Sequence, residues 1–261
     1  MELYYTICIA LFGLLFGSFL NCMAMRIVRG EDFVKGRSHC PSCNHQLAAM
    51  DLIPIVSYVA SGGRCRYCKE KISARYPLTE TVFMALSVIL YIFTGHDLML
   101  FYKNWILVGC LFAIALTDCE AMEIPNLLIL TALISWILFS AAELITGRSD
   151  IFFLGKRVFT AFAFGMIMLI LSLIMDSILK KDSLGGGDIK LFALLGLYLG
   201  AAGAYELLIL TCLLGIGFAL LRKRLRPDAS KEFPLGPEIA ASAYIVLLFG
   251  DHITAWYLSL I

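Results

Sequence analysis

Charged residues are scarce in this chain. Only 16% of its 261 residues are Asp, Glu, Lys or Arg, whereas 60% are hydrophobic and the mean hydropathy is +0.85. A soluble domain carries about 25% charged residues, so this composition excludes a soluble protein of the same length. The formal net charge of +1 indicates no particular partner, and no nucleic-acid partner is expected. The sequence therefore predicts a membrane protein.

Repeats and low-complexity tracts are also missing, and polar residues dominate only one long segment, 26 to 77. Many transporters consist of two related halves, so the lack of an internal repeat counts against that architecture. Pro54, Pro77, Pro125 and Pro237 stand where helices are expected to begin or end.

What the chain has in abundance is apolar runs of the length that crosses a bilayer, about 17 to 25 residues. We place eight such runs, at 4 to 25, 78 to 95, 98 to 117, 124 to 146, 153 to 179, 188 to 203, 204 to 221 and 236 to 260. The sixth run would span only about 24 Å of a core of about 30 Å. The predicted fold is an all-α polytopic membrane protein with about eight transmembrane helices.

The basic residues predict the orientation of these helices. Seventeen of the twenty-one Lys and Arg fall on one side if the connections alternate between the two faces. They are Arg26, Arg29, Lys35, Arg37, Arg64, Arg66, Lys69, Lys71, Arg75, Lys180, Lys181, Lys190, Arg222, Lys223, Arg224, Arg226 and Lys231. Since basic loops stay inside, this side is expected to be the cytoplasmic face of the membrane.

The order of polar and apolar segments divides the chain into three parts. Residues 1–25 form a first transmembrane helix, which Arg26 ends and no small-residue cleavage site follows. Residues 26–77 form a cytoplasmic loop domain between helices 1 and 2, too small to fold without an internal crosslink or metal. Residues 78–261 form the remaining helical bundle.

Four of the nine cysteines lie in this loop as two pairs, Cys40 with Cys43 and Cys65 with Cys68. Twenty-one residues separate the pairs, slightly more than in most zinc ribbons. Four thiolates make a closed tetrahedral zinc site, which has a structural role. A reducing cytoplasm argues against two disulfides. His39 and His45 remain alternative ligands.

Two aspartates stand at the ends of apolar runs on the predicted cytoplasmic side. Asp118 ends the third run, and Asp188 follows three glycines, 185 to 187, that allow the backbone to approach a neighbour closely. Two carboxyls in a partly dry cleft share one proton and so supply a general base and a general acid, as in aspartic peptidases. The alternative is that each carboxylate only caps a helix. Glu120, Glu123, Asp176 and Asp182 are competitors on the same side.

Ordered motifs along the chain resemble the bacterial type IV prepilin leader peptidases, which are also N-methyltransferases. The segments that carry the resemblance are 17–21 with Arg26, 40–43, 51–54, 63–68, 72–77 with Glu80, Asp118 with Ile124 and Pro125, and 185–191, which is similar to the family's GxGD motif. The late segment 233–238 matches only loosely and receives no role. Asn126 also departs from many relatives.

The resemblance implies a membrane aspartic endopeptidase with Asp118 and Asp188 as its catalytic residues. Its substrates would be precursors of type IV pilins or pseudopilins, cut after a short basic leader at the cytoplasmic face. Family members with the four cysteines also methylate the new N-terminus from S-adenosylmethionine, so the resemblance implies this activity here, although no residue that would bind the methyl donor is evident.

Two other functions remain open at this point. A membrane transporter would place its acidic residues at mid-membrane, and a zinc-loop adaptor without peptidase activity would tolerate replacement of both aspartates.

Overall fold

The computed structural model describes residues 2–32, 36–180, 184–225 and 234–259. Within them the protein is all-α, without a strand, and two isolated bridges pair His39 with Gln46 and Arg64 with Lys71. The helices are α1 (Glu2–Val28), α2 (Val56–Ala60), α3 (Arg75–Phe93), α4 (Leu98–Ala121), α5 (Asn126–Ile145), α6 (Ile151–Leu179), α7 (Gly186–Leu225) and α8 (Gly236–Leu258), with a 3-10 turn at Ala49–Leu52. Lys35, Lys181, Asp182, Arg226, Lys231 and Phe233, used in the sequence analysis, lie outside the described residues.

Seven of these helices, all except the short α2, are long and apolar enough to cross a membrane. Many large apolar side chains on them, such as Ile145, Phe152 and Phe159, are exposed, as expected of surfaces that face lipid. The protein is therefore a multi-pass membrane protein, as predicted.

Helix α7 is interrupted, and its two parts correspond to two of the predicted transmembrane segments. Its 40 residues would measure about 60 Å as one straight helix, twice the hydrocarbon core. Gly200 has φ 70° and ψ −173°, so the helix stops there and resumes. We call the two parts α7a (186–199) and α7b (201–225). With this division the described chain has about eight transmembrane segments, as predicted, and the boundary falls at Gly200 rather than after residue 203.

Arg157 of α6 stabilises this interruption. Its Nη1 donates a hydrogen bond of 2.8 Å to the carbonyl of Tyr198, and its guanidinium lies 4.9 Å from the centre of the Phe153 ring. A carbonyl freed by a helix break needs such a partner in a bilayer, where water does not satisfy it. A Cβ on Gly200 would lie 2.6 Å from Nη1, so any side chain there would displace the guanidinium.

The chain divides into two compact units, Met1–Phe101 and Tyr102–Ile261. In the first, α1 packs against α3 through glycines. A Cβ on Gly13 would lie 2.9 Å from Cα of Met84, and one on Gly17 would lie 3.0 Å from Cα of Glu80. Small residues let helix backbones approach this closely in membranes. Glu80, itself buried, accepts a 2.8 Å hydrogen bond from the N–H of Ile55 and so anchors the loop before α2.

In the second unit, α7a is held between α5 and α6. On the α6 side, Cβ atoms built on Gly165 and Gly196 would come within 2.9 Å of Ala193 and Ala161. On the α5 side, the indole N–H of Trp136 donates to the Leu197 carbonyl at 3.1 Å, and the Tyr198 hydroxyl donates to the Ala132 carbonyl at 2.7 Å. These contacts fix the position of the helix that begins beside Asp188.

Candidate active site and four-cysteine centre

Asp118 lies in the last turn of α4 and is buried, with 5% of its surface exposed. The backbone N–H of Gly236, the first residue of α8, donates a 2.7 Å hydrogen bond to its Oδ2. A Cβ on Gly236 would lie 2.8 Å from the same oxygen, so this position accepts no side chain without moving the carboxylate. The start of α8 thus fixes Asp118.

Asp188 is half-buried in the first turn of α7a, and the glycines before it allow two close contacts. A Cβ on Gly187 would lie 2.9 Å from Cβ of Ile124, and one on Gly185 would lie 3.0 Å from Oδ2 of Asp188. None of the three glycines has a positive φ. Their role is therefore close approach of the backbone, and Gly187 brings the start of α7a against the loop that follows Asp118.

Lys190 joins the same two regions. Its Nζ donates a 2.9 Å hydrogen bond to Oδ1 of Asn126, the first residue of α5. Both side chains are exposed. Asn126, which the sequence analysis noted only as a departure from relatives, thus ties the start of α5 to the start of α7a.

Asp118 and Asp188 interact electrostatically. Two carboxyls brought together away from water do not both ionise readily, and such a pair can share one proton. The ionised member can then accept a proton from water while the protonated member donates one. Among their competitors, Glu120 and Glu123 are exposed and Asp176 is half-buried near Ser172 on α6, while Asp182 lies outside the described residues.

The structure also brings Cys40, Cys43, Cys65 and Cys68 together. Their sulfur atoms all lie within 4.8 Å of one another, and those of Cys40 and Cys68 are 3.9 Å apart. A zinc ion with Zn–S bonds of about 2.3 Å separates its tetrahedral sulfur ligands by about 3.8 Å. The four cysteines therefore fit a tetrahedral metal site. His39 and His45 do not belong to the ligand group found among the described residues.

Each cysteine pair lies on the same type of turn. The N–H of Cys40 donates to the carbonyl of His45, and that of Cys65 donates to the carbonyl of Glu70, at 3.0 and 2.8 Å. The residue after each pair, Asn44 and Lys69, has a positive φ and donates back to the first cysteine's carbonyl. Two copies of one local turn thus present two thiols each to the same point.

The thiols differ in their acidity. Burial acts to raise the pKa of Cys40, but the N–H groups of Cys43 and Ser42 outweigh it and lower the pKa to about 7. The N–H of Glu70 acts to lower the pKa of Cys68, yet burial and the three neighbouring sulfurs raise it to about 12. Because negative charge on one sulfur opposes charge on the next, four thiolates need a bound cation.

Asp51 contacts the second turn. Its carboxylate accepts a 3.0 Å hydrogen bond from the Tyr67 hydroxyl and pairs with Arg66 at 3.4 Å. The Tyr67 ring stacks on His45, with ring centres 3.6 Å apart, so a residue of the second turn contacts one of the first. Asp51 belongs to a motif of the resemblance, and its contacts give that motif a structural role.

Comparison with known families covers most of the chain. Residues 11–94 match the model of the bacterial peptidase A24 N-terminal domain, and residues 105–220 match that of the type IV leader peptidase family. A prepilin leader peptidase/N-methyltransferase of Aeromonas salmonicida is 34% identical over 99% of this chain and 95% of its own length. The chain belongs to the prepilin leader peptidase/N-methyltransferase family.

Other members of this family are similar over equally long stretches. A prepilin leader peptidase/N-methyltransferase of Bacillus subtilis is 32% identical over 96% of each chain, and one of Pseudomonas aeruginosa is 30% identical over 98% of this chain and 94% of its own. No solved structure gives a significant match. The protein is thus an enzyme, a leader peptidase of the aspartic type, and its relatives are also N-methyltransferases.

Sequence reasoning missed one part of the candidate site. The late segment 233–238 was given no role, yet Gly236 binds Asp118, and Glu238 is buried and interacts electrostatically with Asp118. A signal was present, because a carboxylate at the start of an apolar run is costly and is a functional candidate by default. The loose match of the motif outweighed that signal.

Proposed function

We propose that this enzyme removes the short basic leader from type IV prepilins or pseudopilins at the cytoplasmic face of the inner membrane, with Asp118 and Asp188 as its catalytic pair. One observation carries the proposal. Asp118, buried and fixed by the N–H of Gly236, interacts electrostatically with Asp188, the aspartate that follows the three glycines.

The chemistry follows from the shared proton. The ionised aspartate takes a proton from a water molecule, whose oxygen attacks the peptide carbonyl after the leader's last residue. The protonated aspartate donates its proton to the leaving amine as the C–N bond breaks. The products are the leader with a free carboxylate and the mature chain with a free amino group. Since the hydrogen bond from Gly236 occupies Oδ2 of Asp118, its Oδ1 is the atom available to water.

The distribution of basic residues supports the cytoplasmic orientation. Seventeen of the twenty-one Lys and Arg fall on one side, the side that would hold both aspartates. A substrate with a basic leader and an apolar helix would keep its leader on that side, so the bond to be cut would lie at the aspartates' level.

The names of the relatives support a second activity, methylation of the new N-terminal amine. We propose that the methyl donor is S-adenosylmethionine, whose sulfonium carries an electrophilic methyl group. The amine that receives it must be uncharged, because only the free electron pair of nitrogen attacks the methyl carbon. No side chain is assigned to the donor.

We further propose that the metal of the cysteine centre is zinc and that its role is structural. Cys40, Cys43, Cys65 and Cys68 would supply all four ligands, which leaves no open position for a substrate. The metal would hold the segment 36–74 in its fold.

The decisive experiment is cleavage of a pilin-like precursor by the purified enzyme and by Asp118→Asn and Asp188→Asn. The matched control is Glu120→Gln, an exposed carboxyl two positions after Asp118. We expect the cleavage rate of each aspartate variant to fall by a factor of about 10³ or more, with unchanged folding. The control variant should remain active.

The other outcomes identify the failure. Cleavage that survives in one aspartate variant removes that residue from the catalytic pair. If the parent enzyme itself cuts no precursor, the adaptor or transporter functions become the better interpretation.

A further inference from the structure

One buried carboxyl of the second unit has no part in the chemistry above. Glu238 lies in the first turn of α8 with 6% of its surface exposed. Its Oε2 is buried and has no hydrogen-bond partner among the described residues. Buried polar atoms nearly always have a partner, and a carboxyl in a membrane-spanning segment is costly, so its presence calls for a function.

The position of Glu238 points to the aspartates. It follows Gly236 by two residues in the same helical turn, and the N–H of Gly236 donates to Asp118. Glu238 interacts electrostatically with Asp118. Asp188 interacts with Asp118 in turn. Three carboxyls, from α4, α7a and α8, therefore form one electrostatic group.

Other charged groups of the same unit have their own contacts. Lys190 of α7a donates to Asn126, at 2.9 Å. Glu206 of α7b accepts a 2.6 Å hydrogen bond from Thr254, four helical turns beyond Glu238 on α8. Among the described contacts, Glu238 is the ionisable side chain of α8 that interacts with Asp118.

We propose that Glu238 is a third carboxyl of the peptidase site, a positioning residue that acts through Asp118 and keeps a proton within the aspartate pair. The inference rests on the proposed function of Asp118 and Asp188. A negative group beside Asp118 opposes full ionisation of the pair, so the shared proton stays bound to a higher pH. Glu238 does not donate that proton to the substrate. Glu238 instead extends the pH range in which the aspartate pair holds this proton.

A purely structural role is the competing explanation. A carboxylate in the first turn of a helix stabilises the helix through its dipole and its free N–H groups. Loss of that effect would lower the amount of folded enzyme, or its rate, by the same factor at every pH. The pH profile of cleavage therefore separates the two roles.

The test compares the full-length enzyme with Glu238→Gln, in rates of precursor cleavage from about pH 5 to about pH 9, the range that brackets general acid and base groups. Gln keeps the size of the side chain and removes its charge. The control is Glu206→Gln, because Glu206 is also a buried carboxyl with an unpartnered Oε2 in contact with α8, yet it is engaged by Thr254 and not by Asp118.

On the alkaline side of the profile, the cleavage rate falls to half of its maximum at a certain pH. In Glu238→Gln we expect that pH to be lower by about half a unit or more. The direction follows because the pair releases its proton earlier once the neighbouring negative charge is gone. The profile of Glu206→Gln should match that of the parent. If Glu238→Gln does not fold, Glu238→Asp replaces it, and its withdrawn carboxyl should give a smaller shift in the same direction.

A profile of the Glu238 variant that coincides with the parent's would overturn the inference, and so would an equal shift in Glu206→Gln. Failure of the proposed function looks different. In that case Asp118→Asn or Asp188→Asn continues to cleave, whatever Glu238→Gln does.

Discussion

The cysteine centre and the aspartate site are built in opposite ways. The cysteines that bring their sulfurs within 3.9 Å are 28 positions apart in the chain, and each pair lies on a turn closed by its own backbone. The hydrogen bond that fixes Asp118 joins it to a residue 118 positions away. A local site depends on a few turns, whereas the aspartate site depends on the packing of at least three helices. The two sites should therefore respond differently to single changes.

The largest expected effect concerns the long-range site. Gly236→Val places side-chain atoms where Oδ2 of Asp118 now lies, since even a Cβ would be 2.8 Å from it. We expect the cleavage rate to fall on the order of 100-fold, because a displacement of about 1 Å in a catalytic group has that cost. Rates of precursor cleavage measure it. Gly215→Val is the control, because a Cβ there meets no atom within 4 Å; an equal loss in both variants would contradict the explanation.

The next effect concerns the local site. Cys43→Ser removes one of the four ligands, so we expect the zinc content to fall from one equivalent per chain to a small fraction. Structural zinc contributes about 10 kcal/mol or more to such folds, so its loss should also unfold the segment that it holds. The segment 36–74 should become open to protease while the helical content is kept. Metal analysis and limited proteolysis measure this. Cys212→Ser, at an exposed cysteine of α7b, should change neither. A protected segment after zinc loss would argue against a structural metal.

A smaller effect is expected at the hydrogen bond that joins the start of α5 to the start of α7a. Lys190→Met removes the hydrogen bond to Asn126, and we expect kcat to fall by up to about tenfold, because a hydrogen bond between exposed side chains contributes about 0.5 to 1.5 kcal/mol. Asn126→Ala should have a similar effect, and the double variant should be little worse than either single one. Additive losses would show that the two residues act separately.

The smallest effect is expected at Asp51, which contacts the second cysteine turn. Asp51→Asn weakens the contacts with Tyr67 and with Arg66, whose side chain is 48% exposed. An exposed ion pair and one hydrogen bond together contribute about 1 kcal/mol, so zinc affinity should fall less than tenfold. Competition with a chelator measures the affinity. Complete zinc loss would show that Asp51 is needed to form the site rather than to brace it.

Much of the fold was predictable because its signals are local. Apolar runs predicted about eight transmembrane segments, with a boundary after residue 203 that the structure places at Gly200. The four cysteines were found from their spacing, and the structure brings them together. Catalytic roles for Asp118 and Asp188 were chosen from their sequence context and remain predictions, as do the domain boundaries at residues 25 and 77.

The contacts around Asp118 were not predictable in the same way. No periodicity or spacing indicates that Gly236 donates to Asp118, that Lys190 pairs with Asn126, or that Glu238 is buried beside them. Each contact joins helices far apart in sequence, and other carboxyls close to the same helix ends, such as Glu120 and Glu123, are exposed.

By itself, the sequence determined the class of protein, the helices and the cysteine turns. The reason is physical, since bilayer thickness sets the length of an apolar run and a four-residue turn sets the spacing of two thiols. Only the tertiary structure decided which groups surround the aspartates. Those neighbours depend on how closely helices pack, and close packing is set by single glycines such as Gly187 and Gly236, whose partners are visible only in the folded chain.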